Sequence, residues 1–166
     1  MSKIINKKIL WEGRFLTGVL FEYKNSKSGN LTWEACQRIN CSGIVAIVPF
    51  TQEKEVIVIK QYRPPVEKYV IEFPAGLNDK NESLQEVAKR ELLEETGYFV
   101  DKLEQIAVGP LSAGASTEVL TVFLAKNVYP AADQNLELEE EIEIIRLPME
   151  HFYERLYSLE NHNTYI

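Results

Sequence analysis

The segment "RELLEETG", residues 90–97, crowds an arginine and three glutamates into a run of strong helix formers that stops at a glycine. On a helix of 3.6 residues per turn, each side chain is rotated by about 100° from the one before it. With Leu84 as reference, Val87, Ala88 and Leu92 fall within roughly 80° of it and make an apolar stripe. Glu91 and Glu95 fall about 20° to either side of the same reference, and Glu94 lies at the stripe's edge. Their i, i+3 and i+4 spacing gathers the three carboxylates on one face. Carboxylates that lose hydration side by side repel one another, so their charged state is costly unless something positive joins them. A hard divalent cation meets that need, and magnesium suits a site with few protein ligands completed by phosphate oxygens and water. The bland alternative is a solvated helix end. Acidic groups at a helix C-terminus oppose the macrodipole, however, and Gly97 is suited to end a helix there.

The helix that carries these glutamates, read as residues 82–96, is set among strands. "KILWEGRFLTGVLFEY", the turn cluster "KNSKSGN" and "LTWEACQRI" predict an antiparallel meander over the first forty residues. "SGIVAIVPF" and "EVIVIKQYR" are β-branched and nearly continuous in apolar content, as strands buried on both faces are. "PPVEKYVIEFPAG" holds another extended segment, closed by a Pro-Ala-Gly turn. Strands resume at "KLEQIAVG" and "EVLTVFLAKNV" around the turn-rich "PLSAGAST". The acidic "DQNLELEEE" then leads into the strand "IEIIRL" and a last helix from about Met149. This order predicts an α/β fold, a mixed sheet covered by helices.

Composition narrows the class. With 166 residues, 45% apolar and 26% charged, the chain is long enough for one domain with a real core, or one with a small appendage. A formal net charge of −7 argues against a nucleic-acid backbone or an anionic membrane as partner. Cys36 and Cys41 read as reduced thiols, and "MSKIINKK" lacks the apolar core of a signal peptide, so a cytoplasmic location is expected. The two histidines, His151 and His162, give little support to His-based nucleophilic catalysis.

"GLNDKNESLQEVAKRELLEETGY", residues 76–98, resembles the Nudix hydrolase signature. Gly76, Glu82, Arg90, Glu91, Leu92, Glu94, Glu95 and Gly97 agree with it in type and spacing, while Tyr98 stands where an aliphatic residue is usual. The resemblance implies a loop-helix-loop within an α/β/α sandwich with a mixed sheet, preceded here by a small N-terminal antiparallel β-unit. It implies binding of magnesium, or manganese in its place, and cleavage of a nucleoside diphosphate linked to another moiety. Glu91, Glu94 and Glu95 look like metal ligands, Glu82 like an outer member, and Arg90 like the residue that orients a glutamate by ion pairing.

Segments outside the signature resemble the ADP-ribose pyrophosphatase branch, which also takes other nucleotide sugars. In "YVIEFPAG" the carbonyl of Ala75 matches a metal ligand of that branch, and Glu72 lies near substrate. In "QYR", Arg63 would face phosphates or the terminal ribose, and its fork of donors suits phosphate oxygens. "LTWEACQR" is similar to a segment that stacks a tryptophan on the base and brings an arginine to substrate, pointing to Trp33 and Arg38. The loop "SAGASTE" offers Gly114 and Glu118 as substrate contacts, but carries Ala113 where a proline marks ADP-ribose preference. "LELEEEIEI" supplies the loop glutamate that the resemblance implies would align water and complete the metal site, best matched by Glu140, with Glu139 and Glu141 as rivals. The branch exchanges its N-terminal sheets across a homodimer. Residues 1–42 are therefore expected to serve dimerisation and substrate contacts, and residues 43–166 to form the hydrolase domain. The expected reaction is metal-dependent hydrolysis of the pyrophosphate bond of ADP-ribose or a related nucleotide sugar. The alternatives are a GDP-mannose or UDP-sugar hydrolase of the same type, and a non-catalytic sensor of nucleotide sugars. A pure sensor would not need all three helix glutamates.

Overall fold

The computed structural model describes residues 1–166. Its first three strands, β1 (Lys3–Glu12), β2 (Leu16–Lys24) and β3 (Asn30–Arg38), form an antiparallel sheet in the order β1-β2-β3. The β2–β3 turn closes on Asn25, whose side-chain oxygen accepts from the backbone N–H groups of Lys27 and Ser28 at 2.9 and 2.7 Å. Strand β1 is exposed along its whole length, and Ile4, Ile9 and Trp11 stand at least half in solvent.

The second sheet begins with β4 (Ile44–Thr51), β5 (Glu55–Arg63), β6 (Lys68–Glu72) and β7 (Ala75–Leu77). After helix α1 (Leu84–Thr96) come β8 (Tyr98–Phe99), β9 (Leu103–Pro110), β10 (Val119–Pro130) and β11 (Ile142–Pro148). A short helix α2 (Phe152–Tyr157) and β12 (Thr164–Tyr165) follow. The sheet is mixed: β4 runs parallel to β10 and β6 parallel to β12, while the other pairs are antiparallel.

Strand β5 shows how the two faces are filled. Successive side chains of a strand point to opposite faces. Ile57 accordingly joins Val87, Ala88 and Leu92 of α1, with Val45, Ile47 and Phe123, in one buried cluster. Val56 and Val58 join Ile71 and Leu147 in a second cluster, against which Phe152 and Leu156 of α2 pack. The sheet thus has helix on both faces, an α/β/α sandwich. Each fully buried Leu, Ile or Phe contributes about 1.5–3 kcal/mol, so the α1 cluster is the main anchor of that helix. Tyr98 packs at the edge of the same cluster, which accounts for an aromatic at that position.

Helix α1 begins at Leu84, two residues later than its periodicity suggests, because Glu82 and Ser83 have other partners. Asn78, 4% exposed, binds both backbone groups of Glu82, accepting its N–H at 3.0 Å and donating to its carbonyl at 2.7 Å. Ser83 then caps the helix: its Oγ accepts from Glu86 N–H, and Glu86 Oε2 accepts from Ser83 N–H, a reciprocal capping box. At the other end Gly97 adopts φ 71°, and a Cβ there would stand 2.3 Å from the carbonyl oxygen of Ala132. Only glycine fits both demands. The last helix is shorter than its sequence suggests, because a turn at Met149–His151, with His151 at φ 60°, delays its start to Phe152. No helix is long and apolar enough to cross a membrane.

Candidate active site

The site is assembled where β7 passes beneath α1. A Cβ on Gly76 would lie 2.0 Å from Glu91 Cδ, so the Glu91 carboxylate can lie against the strand because residue 76 has no side chain. That approach buries the carboxylates. Glu95 is 3% exposed, and its Oε2 accepts the Ala75 N–H at 3.0 Å. Burial pushes the Glu91 carboxyl up to about 7 despite the opposing pull of Arg90, and the charges of Glu94 and Glu140 add to the rise. Burial likewise pushes Glu95 up to about 8, helped by the charges of Glu91 and Glu140 and opposed by the Ala75 N–H and Arg63. These carboxylates face one another from helix and loop. Their ionised state needs positive charge nearby.

Part of that charge comes from Arg90. Its Nε lies 3.1 Å from Glu82, and its Nη1 donates to Glu91 at 2.8 Å and to Glu94 at 2.9 Å. Burial works against the guanidinium's charge, but Glu91, Glu94 and Glu82 outweigh it and raise its pKa. Glu94 is the most exposed of the three helix glutamates and does not line the cleft. With Arg90 drawing Glu91 and Glu94 to itself, no three acidic, His or Cys side chains converge as ready-made metal ligands. The donor set nonetheless suits a hard cation. It comprises buried carboxylate oxygens whose mutual repulsion a divalent charge would relieve, beside the Ala75 backbone.

Glu91 and Glu95 open into a cleft of about 600 Å³. Its wall also carries Ala75, Gly76, Glu72, Arg38, Arg63 and Glu140. Two guanidiniums therefore face the acidic floor, each held by a carboxylate. Arg63 Nε donates to Glu72 Oε1 at 2.7 Å. Arg38 Nε lies 2.6 Å from Glu118 Oε1, a close ion pair whose N–H is not aligned on the oxygen. A second hollow, of about 470 Å³, lies against α2 and is lined mainly by apolar side chains such as Phe50, Met149 and Phe152. It lacks the convergent charges, so the chemistry belongs to the first.

The N-terminal sheet reaches the cleft through β3. Cys36 N–H donates to the Ala115 carbonyl at 2.8 Å, and Thr117 N–H donates to the Cys36 carbonyl at 3.0 Å. Trp33 Nε1 donates to the Gly114 carbonyl at 2.9 Å. Trp33 is 51% exposed, so it is not filling a core. It does not line the cleft of its own chain, and neither do Gly114 and Glu118; Arg38 does.

Among the loop glutamates, Glu140 lines the cleft and Glu139 and Glu141 do not. Glu137, not singled out in the sequence, lines it too, and its N–H is held by Glu140 Oε2 at 2.9 Å. Gln61 and Asp79 are further wall residues missed by motif reasoning. For Gln61 a signal existed: it lies two positions before Arg63 on β5, hence on the same face. For Glu137 there was none, since its placement comes from a turn within an all-acidic stretch.

Residues 42–164 match the family profile described as "NUDIX domain". The chain belongs to the Nudix family. Nudix hydrolases generally depend on a divalent cation. An ADP-ribose pyrophosphatase of Bacillus subtilis (strain 168) is 37% identical over 110 residues, covering 65% of this chain and 59% of that protein. The match thus spans about three fifths of that relative's length. An ADP-sugar pyrophosphatase of Mus musculus is 31% identical over an alignment of 178 residues, covering 97% of this chain and 81% of that protein. Among solved structures, an ADP compounds hydrolase superposes with a TM-score of 0.78 at 26% identity, covering 94% of this Nudix chain and 83% of the other.

Proposed function

We propose that this protein hydrolyses the pyrophosphate bond of ADP-ribose or a related nucleoside diphosphate sugar, releasing a nucleoside monophosphate and a sugar phosphate. One observation carries the reading: buried Glu91 and Glu95 share one cleft with Arg38, Arg63 and the loop residue Glu140. Such a cleft offers cation sites and guanidinium forks to the same pyrophosphate. Magnesium is the cation proposed, with manganese able to replace it, held by Glu91, Glu95 and the Ala75 carbonyl, with Glu94 joining when released by Arg90. When bound, the cation neutralises pyrophosphate charge and polarises the phosphorus under attack. Arg38 and Arg63 hold phosphate oxygens, and Glu72 and Glu118 keep those guanidiniums extended into the cleft. Water adds its oxygen to one phosphorus, the bridging P–O bond breaks, and the water proton passes to Glu140.

The names of the Bacillus subtilis and Mus musculus relatives support nucleotide-sugar substrates. Residues 1–42 are proposed as a dimerisation and substrate-contact unit and residues 43–166 as the hydrolase domain, in a cytoplasmic homodimer. The exposed apolar side chains of β1, Ile4 and Ile9 on one face and Trp11 on the other, support pairing through that sheet, with the exposed face of Trp33 stacking on the base in the partner's site. Ala113 favours testing GDP-mannose and UDP-sugars beside ADP-ribose. Monophosphate release from such a panel with magnesium checks the reading. Tight binding without turnover of any member would replace it with a nucleotide-sugar sensor.

A further inference from the structure

Residues 131–141, which carry Glu137 and Glu140, are fastened to the C-terminal end of α1. Ala131 and Ala132 donate their N–H groups to the Gly97 carbonyl at 2.9 and 3.2 Å, and Asn135 N–H donates to the Glu94 carbonyl at 2.9 Å. The last carbonyls of a helix have no partner within it, so they are natural anchor points for a passing chain. These donors are backbone groups and do not depend on side-chain identity. One further contact does. Gln134 Nε2 donates to the Glu95 carbonyl at 2.6 Å and to the Ile142 carbonyl at 3.3 Å.

Both partners of this amide are acceptors, so its NH2 end must face them, and its two N–H groups match the two carbonyls. A glutamate of the same length has no N–H to offer. The two carbonyls are informative in themselves. One belongs to the residue whose carboxylate is buried at the cleft floor, and the other to the first residue of β11, directly after the acidic stretch. One side chain therefore closes the base of the loop onto the helix that faces it. We propose that Gln134 is a positioning residue, clamping the acidic loop to α1 so that Glu140 and Glu137 are presented at the cleft wall opposite Glu95. The proposal rests on the hydrolase reading above. It assigns a role in catalysis to a side chain that touches neither substrate nor cation.

The test uses the full chain, with ADP-ribose and magnesium as probe, and compares wild type with Gln134→Ala and Gln134→Glu. A displacement of about 1 Å in a catalytic group can lower turnover by about a hundredfold, so kcat is expected to fall about 10- to 100-fold. KM should stay within about twofold, because Arg38 and Arg63 are untouched. Gln134→Glu should fall at least as far as Gln134→Ala, since it sets a carboxylate against two carbonyls. Amide hydrogen exchange supplies the second readout: residues 135–141 should exchange about tenfold faster in the variants, with α1 protection unchanged. Unchanged kcat in both variants, or unchanged exchange in the loop, overturns the proposal. A wild-type chain that turns over no nucleotide sugar overturns the hydrolase reading itself, and the positioning role with it. The two failures are told apart by whether the wild-type chain is active.

Discussion

Two glutamate-rich segments line the cleft, and they are built by opposite means. Helix α1 buries Val87, Ala88 and Leu92 in the main core, and this packing carries Glu91 and Glu95 inward as part of the same face. Residues 137–141 have no such core beneath them, and Leu138 is fully exposed. Their position comes from a few hydrogen bonds to the end of α1 and from one turn held by Glu140. Glu91 and Glu95 are therefore fixed and desolvated; the carboxylates on the loop are placed but remain adjustable. Hydrolysis benefits from both, because charge at the floor must be preorganised whereas a group that meets water must admit substrate first.

The sharpest way to break this contrast is to push the floor apart. In Gly76→Ala the new methyl would meet the Glu91 side chain at 2.0 Å, so that carboxylate must leave its place or β7 and α1 must part. We expect activity to fall by about 10²- to 10³-fold, because a shift of about 1 Å disturbs several groups together. Stability should fall by about 1–3 kcal/mol, read from chemical denaturation. The loop side of the contrast is tested by removing charge without changing shape. Glu140→Gln should lower kcat by about 10²-fold, as expected for loss of a general base, and Glu137→Gln by about tenfold or less. Neither should move the melting temperature, since both residues lie outside the core. A melting shift as large as that of Gly76→Ala would mean that the loop is part of the core after all. The smallest effect belongs to the helix start. Ser83→Ala removes the cap and should cost about 1 kcal/mol, with kcat within about twofold of wild type, by denaturation and steady-state kinetics.

The same contrast decides what the sequence could reveal. The position of Glu91 and Glu95 was legible because a helix repeats every 3.6 residues and apolar neighbours mark its inner face. The nearly continuous apolar content of β4 and β5 similarly marked strands buried on both faces, so a mixed sheet covered by helices was predictable. The parallel pairing of β4 with β10 was not legible, since it joins segments more than seventy residues apart and leaves no local trace. In the loop, "LELEEEIEI" presents acidic side chains at so many positions that periodicity distinguishes none of them. Glu140 could be reached by resemblance, but Glu137 depends on a turn, and Gln134 depends on carbonyls contributed by distant elements. Asn78 is a similar case. Its grip on Glu82 shortens the helix by two residues, and only the folded chain brings the two together in that way.

The central claim is that buried carboxylates on α1 make this cleft hydrolytic, and Glu95→Gln tests it most directly. The substitution keeps an oxygen that can accept the Ala75 N–H and removes a charge that burial disfavours, so the fold should be retained. The measurement is monophosphate release from ADP-ribose and its relatives with magnesium, wild type against variant. Wild type should hydrolyse at least one of these substrates, with the variant slower by about 10³-fold at an unchanged melting temperature. A variant as fast as wild type would contradict the account.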